Sequence, residues 1–297
     1  MKNKYTVAVL FAGALWGFMG FFRRTLDTMG VSAVGCIAVR CLFAAILFAA
    51  AILFTDRSAF KVRLKDLWVF FGSGILSLLV FGVCYFKAMD HMSLSTAAIL
   101  LYTAPCFVIL LSALLFKERM TGRKLTAMAM AFAGCCLVSG IGSGGEKLTL
   151  TGLALGLGAG FCYALFSIFS RFAINRGYSA LTINFYSCLL GGLGALIVSG
   201  GDFIPCITVS GAGFAFAAAT GLVTCFLPYL LYTYGLTGLE NGKASIMASV
   251  EPVVATFVGI FIYHEGMTIM SACGILLVLS AIVLLNVKGS EKQIAAQ

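Results

Sequence analysis

A chain of 297 residues, 61% apolar and only 10% charged, has too few charges to cover a water-soluble globule, where the charged fraction is about 25%. Its formal charge of +9 comes without a basic stripe interleaved with aromatics, so it points away from nucleic acid and towards the basic loops of a membrane protein. Eleven scattered cysteines without a C-x-x-C pair, and only two histidines, argue against a disulfide framework or a metal centre.

At the amino terminus, Lys2 and Lys4 precede an apolar run that imitates a signal peptide. The run continues to Phe22 and ends at Arg23-Arg24 without a small-residue cleavage site, so it reads as a retained span. A helix needs about 20 apolar residues to cross a bilayer. Stretches of this kind are predicted over 5–22, 32–54, 66–86, 93–114, 124–141, 150–170, 179–199, 210–234, 243–262 and 267–287. The strand-like alternation of a membrane barrel is missing, and the short linkers leave no room for a soluble domain. With the amino terminus placed inside, fifteen lysines and arginines fall in the inner segments and four in the outer ones. That bias predicts cytoplasmic termini.

The chain also repeats itself. Sliding it by 147 residues superimposes Gly13 on Gly160, Trp16 on Tyr163, Arg24 on Arg171, Gly30 on Gly177, Tyr85 on Tyr232 and Pro105 on Pro252. "FKERMT" (116–121) then meets "YHEGMT" (263–268). Five spans per copy is an odd number, so the second copy enters the membrane from the opposite side. The expected fold class is an all-α integral membrane protein of ten transmembrane helices. They form two inverted five-helix repeats, 1–144 and 148–288, followed by a polar cytoplasmic tail, 289–297.

"GALWGFMG" (13–20), "AVRCLFAAILF" (38–48), "YTAPCFVILLSALLFKERMT" (102–121) and "SVEPVVATFVGIFIYHEGMT" (249–268) occur in an order and spacing that covers nearly the whole chain. In these features the chain resembles the drug/metabolite transporter superfamily, in its ten-helix EamA-type branch. It departs at Tyr163, where a tryptophan is expected, and its halves differ at Ala104 and Glu251. The resemblance implies a secondary transporter without a cofactor, most often an exporter of small metabolites such as amino acids. It also implies a central cavity lined by spans 1, 3, 4, 6, 8 and 9. A bacterial-type inner (plasma) membrane is the expected location, and small-molecule substrate and membrane lipids are the expected partners. Monomer and homodimer stay open, as does a proton-coupled importer.

Glu251 is the foremost candidate. A carboxylate at the centre of a span costs about 2.5–3.5 kcal/mol on insertion scales, so it faces a cavity or a partner. It reads as a proton or cation site, or as a buried hydrogen bond locking span 9 to a neighbour. Arg40 is a second charge, for an anionic group of the substrate or a salt bridge to Glu251, unless it snorkels to the outer headgroups. Trp16, Tyr85, Tyr102, Tyr163 and Tyr232 suit a cavity wall. Tyr229 reads as plain packing more than wall. Pro105 and Pro252 mark equivalent helix breaks, either hinges or static kinks. The glycines around 13–20 and 152–160 read as points of close helix approach. Glu118 and Glu265 read as partners of the dipoles of the helices that follow them, and His264 as a solvated interfacial residue.

Other classes fit less well. No G-x-x-x-x-G-K-[ST] motif offers ATP driving. An intramembrane serine hydrolase built on Ser73 finds no histidine at depth. A channel would show a filter or a charged ring. The expectation is a non-enzyme that works by alternating access.

Overall fold

The computed structural model describes residues 3–92, 94–139, 149–264 and 266–286. Among them there is no strand. In chain order the main helices are α1 (Asn3–Thr28), α2 (Ala33–Thr55), α3 (Leu64–Met89), α4 (Thr96–Phe116), α5 (Gly122–Val138), α6 (Leu150–Asn175), α7 (Ala180–Ser199), α8 (Gly211–Leu236), α9 (Asn241–Tyr263) and α10 (Ile269–Asn286). Nine of these have the length and hydropathy of a bilayer span; α5, with 17 residues, is shorter. Arg23 and Arg24, expected in a loop, lie instead on a helical extension of α1 that runs to Thr28. The tail 289–297, Lys147 and Glu265 lie outside the described residues.

The helix starts follow local chemistry. Ser32, Thr121, Thr149, Ser179 and Ser210 precede α2, α5, α6, α7 and α8. Each side-chain oxygen accepts a backbone N–H three residues on, at 2.9–3.3 Å. Such caps satisfy donors that a helix leaves open and contribute about 1 kcal/mol apiece.

The internal repeat is written into the backbone. Gly30 and Gly177 both take positive φ, 81° and 85°, before the equivalent caps Ser32 and Ser179. Only glycine enters that region without a steric cost. Lys117 and His264, also 147 apart, both close their helices at φ 56°, the left-handed cap. Helices α3 and α8 each widen into a π-helical stretch, Gly72–Val80 and Leu222–Phe226.

Two equivalent glycines interlock the halves. A Cβ on Gly13 of α1 would come within 2.8 Å of the Ala248 carbonyl in α9. A Cβ on Gly160 of α6 would come within 2.9 Å of the Leu100 carbonyl in α4. Each contact lets a helix of one half lie directly on a helix of the other. The largest buried cluster runs through α1, α2, α7 and α8, takes in parts of α3, α6 and α9, and encloses Trp16, Phe48, Phe166, Tyr229, Tyr232 and Met247.

Candidate substrate cavity

Proline has no N–H and its ring collides with the carbonyl four residues back, so an α-helix yields near it. In α9 the yield is complete: Asn241–Ala248 ends, Ser249 and Val250 turn, and a second helix starts at Glu251 with Pro252 in its first turn. The turn is held by Ser249 N–H to Ile246 C=O (3.1 Å) and Val250 N–H to Met247 C=O (3.3 Å). Glu251 therefore stands at the amino end of a half-helix inside the bundle, where backbone N–H groups favour a negative charge. In α4 the same interruption falls at Tyr102-Thr103, and Ala104–Phe116 restarts with Pro105 in its first turn. The prolines accordingly mark true helix breaks, two residues beyond the turns.

A cavity opens between these interruptions. Leu101, Tyr102, Pro105, Tyr163, Ser245, Ser249 and Glu251 line it. Glu251 is half-buried and faces the cavity together with Tyr163. On the other side of Tyr163 is a second cavity, lined by Trp16, Ser77, Phe166, Ser167, Tyr229 and Tyr232. Water centres have about 20 Å³ in the first and about 10 Å³ in the second. One water needs about 10–15 Å³ of such space, so this conformation is closed around its centre.

Tyr163 is shared by the two cavities, and the wall of the second is aromatic. The Trp16 ring meets Tyr229 at 5.2 Å, Tyr232 at 5.4 Å and Tyr163 at 6.4 Å between centroids. Phe166 meets Tyr229 edge-on at 4.7 Å. The Tyr232 hydroxyl is fixed by Ser167 at 2.8 Å, and Asn184 of α7 binds the Tyr229 carbonyl at 3.1 Å and Thr233 at 3.1 Å. Such edge contacts add about 0.5–1.5 kcal/mol each beyond area burial.

Arg40 does not snorkel. It is only 8% exposed, inside the bundle. Its guanidinium donates to the Tyr229 hydroxyl at 3.4 Å and to the Met19 sulfur at 3.3 Å, while its Nε–H has no partner. No ion pair joins it to Glu251 among the described residues, so the salt bridge considered from sequence is not formed. Tyr85, at the far end of α3, stacks on Phe81 at 6.1 Å and touches Phe86; it does not line either cavity.

At the end of the bundle where α1 begins and α10 finishes, polar groups tie the halves together. Glu118 does not serve the helix that follows it. It accepts the N–H of Asn241 (2.7 Å) and of Gly242 (3.3 Å), capping α9 of the other half. Lys124 bonds Glu240 at 2.8 Å and pairs with Glu118 at 3.5 Å. Within the second half, Arg171 reaches Asn241 Oδ1 at 2.9 Å and the Leu239 carbonyl, which steadies the start of α9. Nearby, Asp66 takes Tyr178 (2.8 Å) and Arg176 (3.1 Å). His264 ends its helix in a left-handed cap, a backbone role in addition to its exposure.

The model of the EamA-like transporter family matches this chain twice, over residues 3–140 and 150–287. The chain belongs to the EamA-like transporter family. Its relatives are named transporters. One from Archaeoglobus fulgidus is 29% identical over 216 residues, 71% of this chain and 75% of the relative. YwfM from Bacillus subtilis is 22% identical and covers 99% of this chain and 97% of its own length. A solved crystal structure superposes with a TM-score of 0.79, covering 96% of each chain at 18% identity, which shows a shared fold. The protein is thus a multi-pass membrane transporter of this family.

The EamA chain keeps several wall residues that sequence reading passed over: Ser77, Phe166, Ser167, Ser245 and Ser249. Tyr229, read as packing, lines the second cavity and holds Arg40.

Proposed function

We propose that this EamA-family protein is a secondary carrier that exports a small metabolite from the cell by alternating access across the plasma membrane, with both termini cytoplasmic. The observation that carries the reading is the pair of equivalent helix breaks facing one central cavity, one of which presents Glu251. Breaks of this kind put half-helix ends at the midplane, where transporters hold solutes and coupling ions. The five-helix repeats rock about that point. The end where α1 begins and α10 finishes is closed by the Glu118–Lys124–Glu240 contacts and by Asp66 with Tyr178 and Arg176, and it opens as they part.

In this mechanism Glu251 exchanges a proton or a cationic group between the two sides, because its surroundings differ between the two open states. Trp16, Tyr102, Tyr163 and Tyr232 shape the solute's path, and Tyr85 lines it once the outer part of α3 moves. Pro105 and Pro252 keep the breaks from closing into continuous helix.

The test is an untargeted profile of the medium from cells that overproduce the protein, cells with empty vector, and cells producing Glu251→Gln at matched membrane levels. A compound that accumulates only with the native protein, and saturates and shows counterflow in vesicles, supports a carrier. Identical profiles in all three end the export reading. Wild-type rates in Glu251→Gln at every pH remove Glu251 from the mechanism.

A further inference from the structure

Arg40 is not explained by the carrier reading. A guanidinium stays protonated at any accessible pH, and burying one without a carboxylate is costly. Arg40 is more than nine-tenths buried, yet its acceptors are a phenol oxygen at 3.4 Å and a thioether sulfur at 3.3 Å, both weak, and its Nε–H has none. Ser187, the residue at the equivalent position of the second half, is fully satisfied by Ser73 (2.5 Å) and the Ile183 carbonyl (2.7 Å). The fold therefore has no general need for a charge there.

The position is informative. Arg40 lies behind Tyr229, whose ring lines the cavity shared with Trp16 and Tyr232. Glu251 lies beyond Tyr163, at the other end of the same aromatic wall. Arg40 lines neither cavity in this closed arrangement; its unpaired Nε–H and an adjacent Nη–H form a planar two-donor edge that reaches the solute path only when Tyr229 moves aside. That edge fits the two oxygens of a carboxylate or another planar oxyanion.

We propose that Arg40 is an anion-binding residue of the central cavity, and that the transported solute carries a carboxylate or similar oxyanion on an apolar body. The proposal rests on the carrier reading and narrows its substrate class.

The test uses the full-length protein in lipid nanodiscs and two matched pairs of probes: 3-phenylpropanoate with 3-phenylpropanamide, and butanoate with butanamide. Thermal shift and competition give relative affinities. Binding of the acids over the amides by at least tenfold is expected, with that preference lost in Arg40→Gln and partly kept in Arg40→Lys. A merely structural Arg40 would change stability without changing the acid-to-amide ratio. Equal binding of acid and amide, no binding of either acid, or an unchanged ratio in Arg40→Gln overturns the proposal. A protein that exports a compound but treats acid and amide alike keeps the carrier reading and loses this one. A protein that selects acids through Arg40 yet moves nothing keeps the anion site and loses the carrier reading, and with it the assignment of that anion as the transported solute.

Discussion

At Tyr102-Thr103 and again at Ser249-Val250, equivalent helices are interrupted at the same depth and restart on an equivalent proline. Both restarts line the same cavity, but the first brings a methyl group, Ala104, and the second a carboxylate, Glu251. The halves share backbone punctuation and differ in the chemistry it presents. The same holds at the end where α1 begins and α10 finishes. Lys124 of the first half bridges to Glu240 of the second, whereas its equivalent, Ser271, bonds only its own cap, Thr268, at 2.9 Å. Helix α1 breaks at Gly17-Phe18, but the equivalent α6 runs unbroken from Leu150 to Asn175. A duplicated fold can thus keep equivalent backbone breaks while its two copies present different charges.

Substitutions that copy one half onto the other test this division. Glu251→Ala, which copies Ala104, is expected to abolish concentrative transport while leaving the protein in the membrane. Vesicle uptake at several pH values, with protein quantified alongside, reads the effect. Transport that keeps its pH dependence in this variant would place the coupling group elsewhere.

Lys124→Ser, which copies Ser271, removes the centre of the inner ties. Lys124 and Glu118 are 7% and 10% exposed at their side chains, and breaking a buried pair by removing one partner costs about 3–5 kcal/mol. The closed end should then open more often, seen as faster labelling of a cysteine placed at Asn241. Unchanged labelling would mean that apolar packing alone holds that end. Glu240 is 56% exposed, so Glu240→Gln should move the same readout far less, by about 0–1 kcal/mol.

Gly13→Val and Gly160→Val press on the equivalent contacts from opposite halves. Overpacking at such sites costs about 1–3 kcal/mol, and both variants should lower the melting temperature by a similar amount. A large difference between them would show that one break yields more easily. Ser32→Ala and Ser179→Ala should each lose about 1 kcal/mol, the smallest pair of effects, measured by chemical denaturation in detergent.

Much of the scaffold was legible from sequence because duplication is a pattern, and Gly30, Gly177, Pro105 and Pro252 mark positions that backbone sterics require. The cavity was legible in part. Trp16, Tyr102, Tyr163, Tyr232 and Glu251 stand out as polar-tipped groups in apolar helices. Ser77 and Ser167 do not, because a serine gives the same signal when it simply bonds a carbonyl one turn back. Arg40 could be read as snorkelling because α2 is apolar on all sides, so periodicity does not say which face meets lipid. Glu118 was assigned to the nearer helix because its true partners, the N–H groups of Asn241 and Gly242, are more than 120 residues away in sequence. Local chemistry identifies a helix-capping carboxylate, but only the tertiary fold identifies which helix it caps.

The π-helical stretches of α3 and α8 have a consequence for side-chain aim. Each holds an extra residue per turn relative to an α-helix, and each lies just ahead of an equivalent tyrosine, Tyr85 and Tyr232. An α-helical residue turns about 100° and a residue of the wider π turn turns less, so closing Leu222–Phe226 to α-helix at constant length would rotate Tyr232 relative to Trp16 and Ser167 without altering any side chain in the cavity. The widened turns thus act as a phase setting. They let the lipid-facing stripe before them and the aromatic wall after them be oriented separately along one continuous helix.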